Sequence, residues 1–328
     1  MRSAAAIEER LLLPTYASRW SSVSVAAHRM LAFPLQLRGP VRRRTMDAGG
    51  REVTLLEVGR PKLTEPLCAR LFGELPPARN ETARSLRRPL TAAGADLVVT
   101  EVHRWIAPRF RRAGWIIVPD QVRWRGELSL LPPPVSSHSL KDDLRKVRSQ
   151  GYVLEHATGA ADWDEFVTTM VEPQANARFG GKAWIPSPYL LRQFSERGRL
   201  HFVVRGGVRV GGICSLRSGD TLWLPLSGVR NGDGALLQAG VSVAAWVLAM
   251  RWAKEEGCAE VDMGRTSPFL HDGVQQYKRK WGLDPRPDPL AHLAAVWVGS
   301  EPARLAFARE PVLIEREAGL WLYAGARP

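Results

Sequence analysis

The chain has 328 residues, of which 45% are hydrophobic, and its 46 basic against 33 acidic side chains give a formal net charge of +13. This length suggests about two domains, and the apolar content is sufficient for buried cores, which excludes a disordered chain. No apolar run is long enough to span a bilayer as a helix. The best candidate, 235–253, is interrupted by Gln238, Gly240 and Ser242.

The amino-terminal residues and the cysteines indicate that the protein stays in a reducing compartment inside the cell. Glu8 and Glu9 stand where a secretion signal needs its apolar core, so we expect no such signal. The cysteines are scattered and odd in number, which fits a reducing compartment and argues against a zinc site or a disulfide framework. Cys214 and Cys258 are flanked by apolar residues and are expected to be buried core thiols. We therefore predict a cytoplasmic protein without a metal.

The positive charge is concentrated in the first part of the chain. Residues 1–133 hold 22 basic and 12 acidic side chains, and residues 134–328 hold 24 and 21. The excess is almost entirely arginine, including Arg42, Arg43 and Arg44. One interpretation is a polyanionic partner, such as tRNA, a nucleotide-linked precursor or an anionic membrane surface. The other is the solvated basic face of a protein from an arginine-rich proteome. The oligomeric state stays open.

Strands and helices alternate in the first part of the chain, which indicates an α/β or α+β layer fold. The patterns predict strands at 18–25, 52–58, 96–102 and 115–124, the last interrupted by Pro119, and helices at 65–74, 80–93 and 105–113. A linker rich in Pro and Ser follows at 130–139. It places a domain boundary that divides the chain into residues 1–133 and 134–328.

The second part continues with the same two kinds of element. An amphipathic helix at 140–148 places Lys141, Arg145 and Arg148 opposite an apolar face. Further predicted elements are helices at 162–170, with Asp162 as N-cap, and 188–197, three antiparallel strands at 199–205, 208–217 and 221–229, the loop 230–234 and a long helix at 235–256.

The stretch 258–282 organises this part of the chain. It predicts a strand at 259–263 that Gly264 ends, a polar turn at 265–268, and a short helix at 272–281 that Gly282 stops. Cations in the last turn of that helix suit its dipole. Closing elements are a strand at 290–298, a helix at 301–309 and strands at 312–315 and 320–323.

Two short motifs in this stretch carry a resemblance. Asp262-Met263-Gly264 ends the strand, and Tyr277-Lys278-Arg279-Lys280-Trp281-Gly282 closes the next helix, with the long helix upstream. This order resembles the GNAT-like acyltransferases of the FemAB type, the peptidoglycan-bridge aminoacyltransferases and their relatives. The resemblance implies two tandem GNAT-like domains, the first degenerate, each a mixed sheet flanked by helices.

The resemblance also implies an activity, the transfer of an acyl or aminoacyl group to an amine acceptor. The donor would be aminoacyl-tRNA, acyl-CoA or an acyl carrier, acting as a co-substrate, with no permanently bound cofactor. The competing hypothesis is a non-catalytic GNAT scaffold that binds RNA or another polyanion through its basic amino-terminal half.

The resemblance places Lys278 near the reacting ester, where its ammonium would stabilise an oxyanion or hold a phosphate. The alternative for Lys278 is a cation that only suits the end of its helix. Asp262 and Arg265 complete the expected catalytic set. Asp262 would accept a proton from the incoming amine or orient Arg265, or else only cap the turn that follows or pair with Arg265.

The expected substrate contacts lie in four places. Glycines in the loop 230–234 would let backbone N–H groups approach a phosphate, or else the loop is only a turn before a helix. Its sequence, however, is shifted by one residue from the acetyl-CoA signature, and Asp233 adds a negative charge, which weakens the case for CoA. The residues expected to contact substrate are Arg145, Arg148, Arg230, Gly232, Gly234, Tyr277, Lys280 and Trp184.

Overall fold

The computed structural model describes residues 41–47, 50–59, 61–81, 94–133, 137–180 and 185–324. The predicted strand at 18–25 and Trp184 lie outside the described residues, as does most of the predicted helix at 80–93. The mixed α/β architecture of the described residues confirms the fold class that the alternating pattern indicated. No helix in the described ranges has the length and apolar character needed to cross a membrane.

The described strands are β1 (Val41–Asp47), β2 (Glu52–Val58), β3 (Arg79–Glu81), β4 (Leu97–Val102), β5 (Ile116–Pro119), β6 (Val122–Glu127), β7 (Val153–His156), β8 (Arg199–Arg205), β9 (Val208–Ser218), β10 (Thr221–Val229), β11 (Glu260–Thr266), β12 (Asp284–Pro287), β13 (Leu293–Val298), β14 (Val312–Arg316) and β15 (Gly319–Tyr323).

The described α-helices are α1 (Pro61–Phe72), α2 (Ala107–Arg112), α3 (His138–Ser149), α4 (Ala160–Phe166), α5 (Glu172–Phe179), α6 (Pro188–Arg197), α7 (Gly234–Gln238), α8 (Val241–Glu255), α9 (Gly273–Lys280) and α10 (Glu301–Ala308). A π-helical turn, Val167–Val171, joins α4 to α5.

The chain forms two compact units that interleave along the sequence. Among described residues, unit I contains 124–264 and 278–284, and unit II contains the residues up to 123 together with 265–277 and those from 285 onward. The sequence prediction used two contiguous segments that meet at residue 133. The units differ from that division because segments after residue 264 pack with the amino-terminal part of the chain.

Unit II is built on a six-stranded sheet in the order β3-β1-β2-β4-β13-β5. β13 is antiparallel to both β4 and β5, so a strand from the carboxy-terminal part fills the position between two amino-terminal strands. One core packs between the sheet and α1 and α10, with Leu55, Leu97, Val296 and Phe307 among its buried members. A β14–β15 hairpin completes the unit.

Two arginines of the basic amino-terminal segment are buried inside unit II. Arg42 and Arg44 lie on β1 with 6% and 8% of their surface exposed. The Arg44 Nε donates to Glu57 Oε2 at 2.7 Å, and both guanidinium groups also pair with Glu65. Glu57, on β2, is fully buried. These cations are therefore neutralised within the fold, which removes them from the surface that a polyanion would meet.

Unit I contains the strands β6-β11-β10-β9-β8-β7 in that order. β8, β9 and β10 form an antiparallel meander, as the glycine turns predicted, and β7 pairs antiparallel with β8. β11 joins β10 in parallel. The core holds Phe166, Phe194 and Phe202, all essentially buried.

Three local predictions for unit I were wrong. The helix expected at 235–256 is two helices, because Gly240 adopts φ +90° between α7 and α8. β11 runs on through Gly264 to Thr266, since a positive φ of 75° at this glycine lets the strand kink without ending. Asp162 lies inside the first turn of α4, whose N-cap is Gly159. The Asp162 carboxylate accepts instead from the Thr158 backbone N–H.

Candidate functional site

An open seam between two parallel strands lies at the centre of unit I. β10 pairs with β11 only from Thr221 to Trp223, opposite Glu260 to Asp262. In the part of the chain that the structure describes, no backbone pairing joins the two strands beyond that point. β10 also carries one extra residue against β9 between Trp223 and Leu226, where Pro225 supplies no N–H. Because of the bulge and the separation of the two strands, backbone groups of β10 along the seam are not paired with β11.

Asp262 stands where the strands part, and it is fully buried. Its Oδ2 accepts from Arg125 Nε at 3.1 Å, and its Oδ1 accepts from the Gly264 backbone N–H at 2.9 Å. Arg125 lies on β6, next to β11 in the sheet. Arg125 is therefore a partner of Asp262 that no local pattern around residue 262 signalled.

Arg265 belongs to unit II, where it pairs with Asp288. Its Nε contacts the Asp288 Oδ2, and Asp288 is fully buried. The other Asp288 oxygen accepts from the Leu290 backbone N–H at 2.9 Å. Arg123 Nε lies 4.0 Å from the same carboxylate. Asp288 thus fixes the guanidinium of Arg265, and it is a residue that the sequence analysis did not single out.

Lys278 lies in the last turn of α9, and only 3% of its surface is exposed. The helix begins after Asp272, whose Oδ1 accepts from the Val274 and Gln275 backbone N–H groups. It ends before Gly282, which has φ +79°. Both ends match the prediction within a residue. Burial of the ammonium favours a specific role over that of a solvated cation at the end of a helix.

Lys280 joins α9 to α3. Its Nζ lies 2.5 Å from Asp143 Oδ2 and 3.0 Å from Ser139 Oγ. On α3, Arg145 is 73% exposed and pairs with Asp142, and Arg148 is exposed. The structure thus brings Lys280 to the helix that carries both predicted arginines. The role of all three in substrate binding stays a prediction, as does that of Tyr277, which is half-buried.

The loop 230–234 is occupied by contacts within unit I. Arg230 donates to Glu165 and, through Nε, to the Arg209 carbonyl at 2.5 Å. A Cβ on Gly232, which has φ +60°, would lie 2.9 Å from the Pro173 carbonyl oxygen. Asp233 caps the short helix α7, which begins at the exposed Gly234. The conformation of this loop is thus explained by packing and pairing.

Arg209 lies at the centre of a network of ion pairs with acidic side chains, and Arg230 also belongs to this network. Its guanidinium donates to Asp162 and Glu165 at 2.7 Å each and lies 4.0 Å from the Phe202 ring centroid. The backbone N–H of Thr158, followed by Arg209, lowers the pKa of Asp162. Burial alone would raise the pKa of Glu165, but the hydrogen bonds from Arg230 and Arg209 outweigh it and lower that pKa.

We expect the free energy of unfolding to fall as the pH drops below the ordinary carboxyl values of about 3.9 and 4.3. A carboxyl with a lowered pKa stabilises the fold above its unfolded value, and this contribution is lost as the pH falls through the folded value. Urea denaturation between pH 3 and 7 measures the slope. In Arg209→Gln the slope should flatten, whereas Arg192→Gln, which removes an exposed pair with Glu196, should keep it. Equal slopes in both variants would contradict the assignment.

A row of hydrogen-bonded side chains crosses β7, β8 and β9. His156 Nδ1 lies 2.8 Å from His201 Nδ1, and His201 Nε2 lies 2.9 Å from Ser215 Oγ. Burial, the neighbouring His156 and Arg199 lower the pKa of His201 to about 3, so its imidazole is neutral at neutral pH. Trp252 packs on His201 with ring centroids 4.4 Å apart. The spacing of His156, His201 and Ser215 along the sequence does not predict this row, because only strand pairing brings the three side chains together.

Cys68, Cys214 and Cys258 are free and buried, as expected of the last two. Burial raises the pKa of the Cys258 thiol. Within the described residues, no group of three or more His, Cys, Asp or Glu side chains is arranged to hold a metal ion.

A segment of the chain that lies mostly in unit I matches a known family. Residues 136–279 match the model of the acetyltransferase (GNAT) domain. This segment is a GNAT acetyltransferase domain. The resemblance to GNAT-type acyltransferases is therefore confirmed for this part of the chain. No curated protein matches the sequence.

Solved structures with distant likeness span most of the chain. L-PGS from Bacillus licheniformis is 14% identical, with a TM-score of 0.42, over 78% of this chain and 80% of that one. FemX is 12% identical, also with a TM-score of 0.42, over 78% and 88%. A GCN5-related N-acetyltransferase from Sphaerobacter thermophilus is 15% identical, with a TM-score of 0.33, over 61% and 58%. At these values the likenesses assign no activity, and the GNAT domain rests on its own family match.

Proposed function

We propose that this protein is a cytoplasmic transferase that moves an acyl or aminoacyl group from an activated ester or thioester to an amine acceptor. The observation that carries the proposal is the GNAT acetyltransferase domain at residues 136–279. In this reaction the amine nitrogen attacks the acyl carbon, the bond to the leaving oxygen or sulfur breaks, and the proton that the amine gives up ends on that leaving atom. No covalent enzyme intermediate is needed.

The seam supports the proposal because a strand edge that is not paired with its neighbour can hold an acyl group. Past Trp223 the edge of β10 that faces β11 is not paired with that strand. Fixed backbone N–H groups at such an edge can donate to the carbonyl oxygen of an acyl group and to the oxyanion that forms from it. Because they are held by the pairing of β10 with β9, they need little reorganisation during the reaction.

Lys278 and Asp262 have different proposed roles. The buried Lys278 ammonium would stabilise negative charge on the acyl oxygen or on the leaving group. Asp262 already accepts hydrogen bonds through both oxygens, which favours a role in holding Arg125 and the kinked strand over acceptance of a proton. Arg265, Arg145 and Arg148 remain candidates for phosphate or carboxylate contacts.

The contacts of the loop 230–234 favour an aminoacyl ester over acyl-CoA as donor. Arg230 is engaged by Glu165, and Asp233 places a carboxylate at the start of α7. A CoA pyrophosphate at this loop would have to displace the contact between Arg230 and Glu165 and approach the negative charge of Asp233. Aminoacyl-tRNA is therefore the donor that we propose, with acyl-CoA and acyl carrier as the alternatives.

The test is a donor panel with the full-length protein, in which amide products are identified by mass spectrometry. Aminoacyl-tRNAs and acyl-CoAs are each incubated with a mixture of primary amines. We expect amide formation with an aminoacyl-tRNA and little with acyl-CoA. Transfer from acyl-CoA alone would reverse the choice of donor, and absence of transfer from every donor would overturn the proposed activity.

The alternative, a non-catalytic scaffold that binds RNA, makes a different prediction. RNA affinity would fall steeply as the salt concentration rises, while no donor would support transfer. Burial and pairing of Arg42 and Arg44 count against this alternative, because they reduce the basic surface on which it depends.

A further inference from the structure

Unit II contains a cavity of about 320 Å³ that the proposed function does not use. At the roughly 30 Å³ that each molecule takes up in liquid water, this volume holds about ten non-hydrogen atoms. One side is apolar and is formed by buried side chains of Leu67, Val118, Phe269 and Ala294. A size of this order with a mostly apolar wall is typical of small-molecule sites.

Two carboxylates are held on the wall of this cavity. The Asp120 Oδ1 accepts from the His292 backbone N–H at 2.9 Å. The Asp272 Oδ1 accepts from the Val274 N–H at 2.9 Å and the Gln275 N–H at 3.0 Å, which fixes the carboxylate as the cap of α9. Each carboxylate thus has one oxygen held by a backbone N–H group at the cavity wall.

The positive charge in the lining is already paired. Arg70 Nη2 lies 3.1 Å from Glu310 Oε1, and its guanidinium lies 5.7 Å from the Phe269 ring centroid. Arg70 is the one cation among the described lining residues and is paired with Glu310, so the formal charge of the lining is dominated by the carboxylates of Asp120 and Asp272. The remaining polar side chains of the lining, Gln121 and Ser267, are uncharged.

We propose that this cavity binds a small organic ammonium ion, with its alkyl stem on the apolar wall and its charge toward Asp120 and Asp272. The inference goes beyond the proposed function, because it rests on the volume and charge of unit II and not on the transfer reaction. It names a ligand class that no sequence motif indicated.

The test compares three probes of equal length, hexylammonium, 1-hexanol and hexanoate, for binding to the full-length protein by ligand-observed NMR. We expect hexylammonium to bind more tightly than hexanol at low ionic strength, and hexanoate to bind most weakly. Added salt should weaken hexylammonium binding and leave hexanol unchanged, because only the first interaction is between charges.

Asp120→Asn and Asp272→Asn remove the charges while keeping the oxygen that accepts from the backbone, and Asn remains a good helix cap. Each should raise the Kd for hexylammonium about threefold to fivefold, within the range for partly exposed ion pairs, without changing that for hexanol. Glu74→Gln, an exposed site elsewhere in unit II, is the matched control and should change neither.

Hexanol binding as tightly as hexylammonium, or hexanoate binding best, would overturn the inference, and so would folded Asn variants with an unchanged preference. The comparison of probes on the unaltered protein decides the question even if a variant fails to fold. Because the readout is binding, failure here is distinct from failure of acyl transfer.

Discussion

Lys278→Met should lower kcat/KM for acyl transfer by about 10²–10³-fold, the loss typical of removing one group that stabilises an oxyanion. Methionine is unbranched and adaptable, so it can fill the space of the lysine stem while removing the charge. The site is 3% exposed, and bulk water therefore gains little access to replace the ammonium. The loss should fall mainly on kcat, because charge develops on the acyl oxygen only in the transition state.

The control is Lys141→Met, which makes the same replacement at an exposed position of α3. It should leave kcat/KM within about twofold, the level expected of a surface change far from such features. Thermal unfolding of both variants separates a catalytic loss from a folding defect. If Lys278→Met folds normally and keeps its kcat, Lys278 has no part in the chemistry.

Glu57→Gln should lower the free energy of unfolding by about 3–5 kcal/mol, which is the usual cost of breaking a buried ion pair from one side. Glu57 is fully buried on β2, and its carboxylate lies 2.7 Å from Arg44 Nε and 3.5 Å from Arg42 Nη2. The glutamine has nearly the same shape, so the effect reports charge rather than volume. Among the described residues, Arg42 and Arg44 would then share the partly exposed Glu65 as their acidic partner.

The matched control is Glu52→Gln, which makes the same change at the exposed start of the same strand. It should alter the stability by less than about 0.5 kcal/mol. Urea denaturation measures both variants, followed by a signal from unit II. A loss below 1 kcal/mol at Glu57 would show that the arginines find water or another partner when the carboxylate is removed.

Local sequence determined the elements that depend on contacts between near neighbours. Helix α9 followed from Asp272 at its start and Gly282 after its end, because capping acts within one turn. The meander of β8, β9 and β10 followed from alternation and glycine turns. The same local reasoning found the stretch that carries Lys278, and it identified the GNAT type from two short motifs.

Only the tertiary structure decided which side chains meet. Asp262 pairs with Arg125, which is 137 positions away, and Arg265 pairs with Asp288. β13 fills the position between β4 and β5, so that a late strand completes the sheet of an early unit. The physical reason is that strand pairing and ion pairing act across any sequence separation, whereas capping and periodicity are limited to neighbours. Contacts between near neighbours therefore specify the helices and strands, and the tertiary fold selects the partners of their side chains.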